Sequence, residues 1–80
     1  MTKRKKVRKQ TFGVEFEKEV DGRWIAEVPK LPGVLAYGNT KQMARRKVLA
    51  VALRTLADKV EQGYTPIPVS RLFEYEMANR

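Results

Sequence analysis

The chain predicts an α+β domain of order βββαβ, one long helix packed on one face of a mixed sheet, and three observations predict it. Apolar and polar residues alternate through two stretches, 12–19 and 23–28, separated by a turn-forming Asp21-Gly22 pair. A helical period then runs from Lys41 to about Gln62, between a threonine and a glycine suited to its two ends. Finally Phe73, Tyr75 and Met77 alternate with Leu72, Glu74 and Glu76, the pattern of a closing strand.

The elements follow in order. Residues 1–10 have no apolar period and hold six of the 17 basic side chains, Lys3, Arg4, Lys5, Lys6, Arg8 and Lys9. They are expected to form a disordered basic arm ahead of a folded domain at 11–80. From Thr11, Phe12, Val14 and Phe16 face one way while Gly13, Glu15, Glu17 and Glu19 face the other. Across the turn, Trp24, Ala26 and Val28 alternate with Arg23, Ile25 and Glu27. A two-residue loop at Asp21-Gly22 would set Phe16 opposite Glu27 and mix the faces. A three-residue loop, Val20-Asp21-Gly22, sets Phe16 opposite Ala26 and Val14 opposite Val28, so burial selects it. Gly22 then takes the left-handed position of a bulged turn, with Glu19 and Arg23 paired across it.

Pro29 and Pro32 cannot donate to a ladder and bracket a bend containing Leu31. Gly33 turns the chain into a short strand, Val34 to Tyr37. Thr40 is expected to cap the helix, because the helical period starts directly after it, and Gly63 to end it as a left-handed cap. Thr65-Pro66-Ile67-Pro68 reads as an extended connector to the last strand. The helix has more apolar surface than one sheet requires. Ala44, Val48, Val51 and Thr55 form one stripe with Ala52 beside it, and Leu49, Leu53, Leu56 and Val60 form a second. Two readings of the second stripe are open: leucines wrapping the helix edge to cover the connector near Ile67 and Val69, or a surface for an oligomer or partner.

Eighty residues make one small domain, and a core of that size supplies only about 3–5 kcal/mol without a staple. With neither cysteine nor histidine, disulfides are excluded and a zinc site is not expected, which leaves a homodimer or higher homo-oligomer as the expected staple. No apolar run approaches the roughly 20 residues of a membrane span, and the N-terminus lacks the apolar stretch of a signal peptide, so a cytoplasmic prokaryotic protein with no membrane partner is expected.

The same absences remove the commonest catalytic bases and nucleophiles, and no phosphate-cradling glycine loop or cofactor fingerprint appears. The chain is expected not to be an enzyme and to need no cofactor. Glu15, Glu17, Glu19 and Glu27 could on paper hold a metal, but a spacing of two is that of any solvated strand face. Charge is the stronger signal. The net charge is +8, yet beyond the arm eleven basic side chains face nine acidic ones, so the body is only +2. The arm could neutralise several phosphates in a salt-sensitive way, without reading bases, or act as a solubilising tail. Lys41, Arg45, Arg46 and Lys47 form a second basic cluster near the helix start, where Lys41 opposes the helix dipole. Arg46 and Lys47 also lie on the solvent face, open to nucleic acid or to solvent alone.

Val28-Pro29-x-Leu31-Pro32-Gly33 followed by Gly38-x-Thr40 and Ala44, inside this strand–turn–helix order, resembles the HicB-like family. The resemblance covers about residues 12–75 and includes Pro29, Leu31, Pro32, Gly33, Gly38 and Thr40, which with Gly22 of the turn and Gly63 of the helix cap are the expected structural positions. It implies a partial ribonuclease-H-like sheet carrying one helix, oligomeric assembly, and an antitoxin-type role in a toxin–antitoxin system. In such pairs the antitoxin binds a small messenger-RNA-cleaving, HicA-like toxin and occludes its RNA-facing surface. Many members add a C-terminal DNA-binding module; with the chain ending at Arg80, none is expected here. Members commonly place acidic residues after the helix-opening threonine, where this sequence has Lys41-Gln42-Met43-Ala44-Arg45-Arg46-Lys47. The alternative function is an oligomeric nucleic-acid-associated protein that grips phosphates with its basic arm.

Overall fold

The computed structural model describes residues 11–77, so the basic arm at 1–10 lies outside the described residues. The fold is α+β. Three strands, β1 (Glu15–Lys18), β2 (Trp24–Glu27) and β3 (Leu35–Gly38), precede a long helix, α1 (Lys41–Glu61), and a single helical turn, α2 (Ile67–Ser70). The strands form an antiparallel sheet in the order β1-β2-β3, and α1 packs across β2 and β3.

The first hairpin takes the register that burial requires. Phe16 lies opposite Ala26, the Glu19 amide donates to the Arg23 carbonyl at 2.7 Å, and the Gly22 amide donates to the Glu19 carbonyl at 2.9 Å. Gly22 has φ +94°, the left-handed residue that lets a three-residue loop match the twist of its strands. Asp21 tightens the loop, accepting from the Arg23 amide at 3.0 Å and from its Nε at 2.9 Å. Those contacts, the amide first, hold the Asp21 carboxyl below its ordinary pKa.

Between β2 and β3 the chain makes two successive turns. The Leu31 amide donates to Val28 at 2.9 Å and the Val34 amide to Leu31 at 3.0 Å, each across a proline in the second position of the turn. Gly33, at φ +85°, supplies the left-handed third residue that a type II turn demands. The Val28 amide then donates to the Val34 carbonyl at 3.0 Å, which closes the corner and extends the β2–β3 ladder. The corner is part of the core, with Val28, Leu31 and Val34 all buried.

Helix α1 begins and ends where expected. Thr40 has extended backbone and its Oγ1 accepts from the Met43 amide at 3.0 Å, satisfying a donor that would otherwise be orphaned. At the other end the Tyr64 amide donates to the Lys59 carbonyl at 2.9 Å and the Gly63 amide to Val60 at 3.0 Å. With Gly63 at φ +99°, this is a Schellman cap.

The core is small-sided. Its buried members are Ala26, Val28, Leu31, Val34, Ala44, Val48, Ala52 and Leu56, with Phe12, Val14, Phe16, Trp24, Ala36, Val51 and Val69 packed around it. Such side chains remove little apolar area, so this domain stands near the lower limit of independent stability.

Three sequence expectations are corrected. No strand forms at Phe73, Tyr75 and Met77, so the order among the described residues is βββαα and the sheet is antiparallel, not mixed. The connector is not extended throughout: Ile67–Ser70 is helical, with Pro68 in the first turn, where its missing amide costs no hydrogen bond. Amides of Arg71, Leu72 and Phe73 bond back to Ile67, Val69 and Ser70, and this tight turn carries the chain past the sheet without pairing. The third correction concerns α1. Leu56 belongs to the buried stripe with Ala44, Val48 and Ala52, while Leu49, Leu53 and Val60 remain exposed. A spacing of four drifts around the helix and brings Leu56 under its edge.

Candidate partner-binding surfaces

Alternation along the strands divides the sheet into unlike faces. Phe16, Trp24, Ala26 and Ala36 face α1; Glu15, Glu17, Ile25, Glu27, Leu35 and Tyr37 face away from it. No described element covers this outer face. Across it, Glu15, Glu27 and Leu35 share one row and Glu17, Ile25 and Tyr37 the next. Glu15, Glu17, Glu19, Ile25 and Glu27 surround a shallow hollow of about 120 Å³. Like charges directly opposite, as at Glu15 and Glu27, oppose pairing by roughly 0.2–1 kcal/mol. Among the described residues the one ion pair is Arg23–Asp21, and none of these glutamates is paired there. Nor do three carboxylates gather there closely enough to hold a metal ion.

Tyr37 lies at the other side of this face, with the Arg23 guanidinium 4.5 Å from its ring centre. Sequence alternation places Ile25 outward, but Leu35 and Tyr37 were not singled out. Their signal lies in the β2–β3 register, which only the length of the proline corner fixes.

The second surface is an apolar groove of about 300 Å³ on the exposed flank of α1. Leu49, Leu53 and Leu56 line it from α1, Phe12 and Val14 from the approach to β1, and Val69 and Leu72 from the segment after the helix. Of the four residues expected to form an oligomer or partner surface, Leu49 and Leu53 line the groove in the open, Leu56 forms its buried floor, and Val60 lies outside it.

Arg46 and Lys47 are exposed on α1, and Lys47 shares a hollow with Arg23 and Tyr37 beside the start of the helix. Lys3, Arg4, Lys5, Lys6, Arg8 and Lys9 lie outside the described residues. Lys41 has a local role. Its ammonium lies 5.0 Å from the Phe16 ring centre and 5.7 Å from that of Trp24. An exposed cation–π contact contributes about 0.5–1 kcal/mol, enough to offset an opposing helix dipole of about 0.3–1 kcal/mol.

The remaining marked positions serve the frame of these surfaces. Gly38 ends β3 directly under the start of α1, where a Cβ would meet the backbone of Met43 and Ala44. Pro29 and Pro32 are exposed on the corner whose apolar residues are buried. Among the described residues no helix is long and apolar enough to cross a membrane. Comparisons of the chain with protein-family models, with curated proteins and with solved structures find no match.

Proposed function

We propose that this chain is a HicB-like, antitoxin-type binding module that neutralises a small, basic, mRNA-cleaving protein by covering its RNA-facing surface. The observation that carries the reading is the outer sheet face, where Glu15, Glu17 and Glu27 have no ion-pair partner among the described residues and stand around Ile25, Leu35 and Tyr37. A protein that binds RNA presents lysines and arginines. Those groups would relieve the repulsion between facing glutamates, while the apolar residues supply area that excludes water. Positive charge near this face, from Arg23 and Lys47, gathers around Tyr37, in a different hollow from the one the glutamates surround. The corner and cap residues that carry the HicB-like resemblance occupy turn, core and helix-end positions, which supports the same assignment.

The test is co-expression with the product of the adjacent reading frame, followed by co-purification and an RNA-cleavage assay. A small basic partner should co-purify and be inhibited at equimolar ratio. Glu15→Lys/Glu17→Lys/Glu27→Lys should abolish both effects while leaving the circular-dichroism spectrum unchanged. Inhibition that survives the charge reversal would refute the assignment of this face, and a neighbour without RNA-cleaving activity would refute the function.

A further inference from the structure

A hollow apart from the carboxylates gathers positive charge. Arg23, Tyr37, Gly38, Asn39, Met43 and Lys47 line a space of about 160 Å³ where the end of β3 meets the start of α1. Its two charged side chains are both cations, and they come from different elements: Arg23 precedes β2 and Lys47 belongs to α1. Arg23 is fixed from two directions. Its Nε donates to the Asp21 carboxylate at 2.9 Å, and its guanidinium carbon lies 4.5 Å from the Tyr37 ring centre. Neither contact takes up the terminal guanidinium nitrogens, and Lys47 has no ion-pair partner among the described residues. We propose that this hollow seats a backbone phosphate of single-stranded nucleic acid, with the adjoining base laid against the Arg23–Tyr37 stack.

The donor set selects a phosphate. Two cations and the Asn39 amide share the hollow, and no carboxylate lines it to repel an anion. A guanidinium already held by an aromatic ring and a carboxylate loses little freedom when it donates to a phosphate oxygen. Size selects a polymer over a free metabolite, because pockets that enclose a whole small molecule run to roughly 300–1,000 Å³. The smaller space admits one anionic group of a longer chain.

The apolar neighbours select a single strand. Tyr37 and Met43 place an aromatic ring and a thioether beside the cations. In a duplex the bases stack on one another, and this surface would find no partner. A single strand can splay a base onto it, and aromatic rings and guanidinium planes are common platforms for such a base. The inference does not rest on the antitoxin reading. The glutamates that carry that reading surround a different hollow, and the test below needs no partner protein.

The experiment is fluorescence anisotropy of the full chain with a short labelled oligouridylate and with a duplex of equal length. Lys47→Gln, at an exposed position, should weaken single-strand binding about tenfold, the loss of one charge-assisted contact. Arg54→Gln removes the same charge from an exposed position outside the hollow, and screening should hold its effect below about twofold. Tyr37→Leu should cost about fivefold or more through the lost stacking platform. On the duplex, Lys47→Gln should change affinity by less than about twofold, since no base reaches the stack to seat the phosphate. In an NMR titration with oligouridylate, the backbone amide signals of residues 37–39 and 43–47 should shift, a readout that needs no variant to fold. Equal losses from Lys47→Gln and Arg54→Gln would overturn the proposal, because net charge alone would then explain the binding. Equal losses on single strand and duplex, shifts confined to residues 1–10, or no binding of the oligouridylate would overturn it as well.

Discussion

Gly38→Ala tests the contact that joins the sheet to its helix. A Cβ at position 38 would stand 2.8 Å from the Met43 carbonyl carbon and 2.9 Å from the Ala44 Cα, and nearer still to the Ala44 amide nitrogen. All three atoms are backbone in the first turn of α1, so no side-chain rotation relieves the contact. Carbon atoms pack at about 3.5–4.0 Å, so the helix start would have to retreat by roughly 0.6–1.1 Å. Ala44 and Val48, both fully buried, would be lifted off β2 and β3 in the process. Overpacking of this kind costs about 1–3 kcal/mol, roughly a fifth or more of the about 3–5 kcal/mol available to so small a core. At about 4–8 °C per kcal/mol, the midpoint of thermal unfolding should fall by on the order of 10–20 °C. Circular dichroism at 222 nm during heating, and urea titration at fixed protein concentration, both read this loss. Gly13→Ala is the control, since nothing lies within 4 Å of its Cβ and its φ is not positive. Gly33→Ala separates the mechanisms: it has open space but φ +85°, so its loss of about 1–2 kcal/mol comes from backbone strain alone. A Gly38→Ala protein no less stable than Gly13→Ala would refute the packing argument.

Two further predictions address charge. Asp21, held below its ordinary carboxylate pKa of 3.8 chiefly by the Arg23 amide, should titrate below that value in an NMR experiment, and Asp21→Ala should loosen the 20–22 loop. Because its folded pKa is the lower one, the stabilisation is present above 3.8 and is lost as pH falls through the folded value; a titration midpoint above 3.8 would contradict the loop geometry. Deleting residues 1–9 should leave thermal unfolding of the domain unchanged and remove most salt-sensitive affinity for generic nucleic acid. Six neutralised phosphates would give a log–log salt slope of about −5 on duplex DNA, and a slope unchanged by the deletion would refute the arm as the site of phosphate contact.

Turns and helix ends were legible because their causes are short-ranged. The Val20–Gly22 loop, the Pro29–Gly33 corner, the Thr40 cap and the Gly63 stop each depend on residues within a few positions of one another, whose allowed φ values and hydrogen-bond donors leave few alternatives. The register of β1 on β2 was legible for a related reason: only one pairing keeps Phe16 and Ala26 on one face and the glutamates on the other. Of the candidate surfaces, the second apolar stripe on α1 was visible in the sequence, but its division into a buried Leu56 and open Leu49 and Leu53 was not. That division depends on where Phe12, Val14 and Val69 come to rest, which no helical period encodes.

The same distinction governs the C-terminal segment. Phe73, Tyr75 and Met77 have the alternation of a strand as fully as Trp24, Ala26 and Val28 do, yet only the latter obtain a ladder. By itself the sequence determined the local framework: a bulged hairpin, a proline corner and one capped helix with an apolar stripe. Tertiary structure decided that three strands pair among the described residues, that Lys41 lies over Phe16 and Trp24, and that an apolar groove runs beside α1 there. A strand's hydrogen bonds are made to another segment, so a pattern confers the capacity to pair, and the course of the chain through space decides whether a partner is within reach.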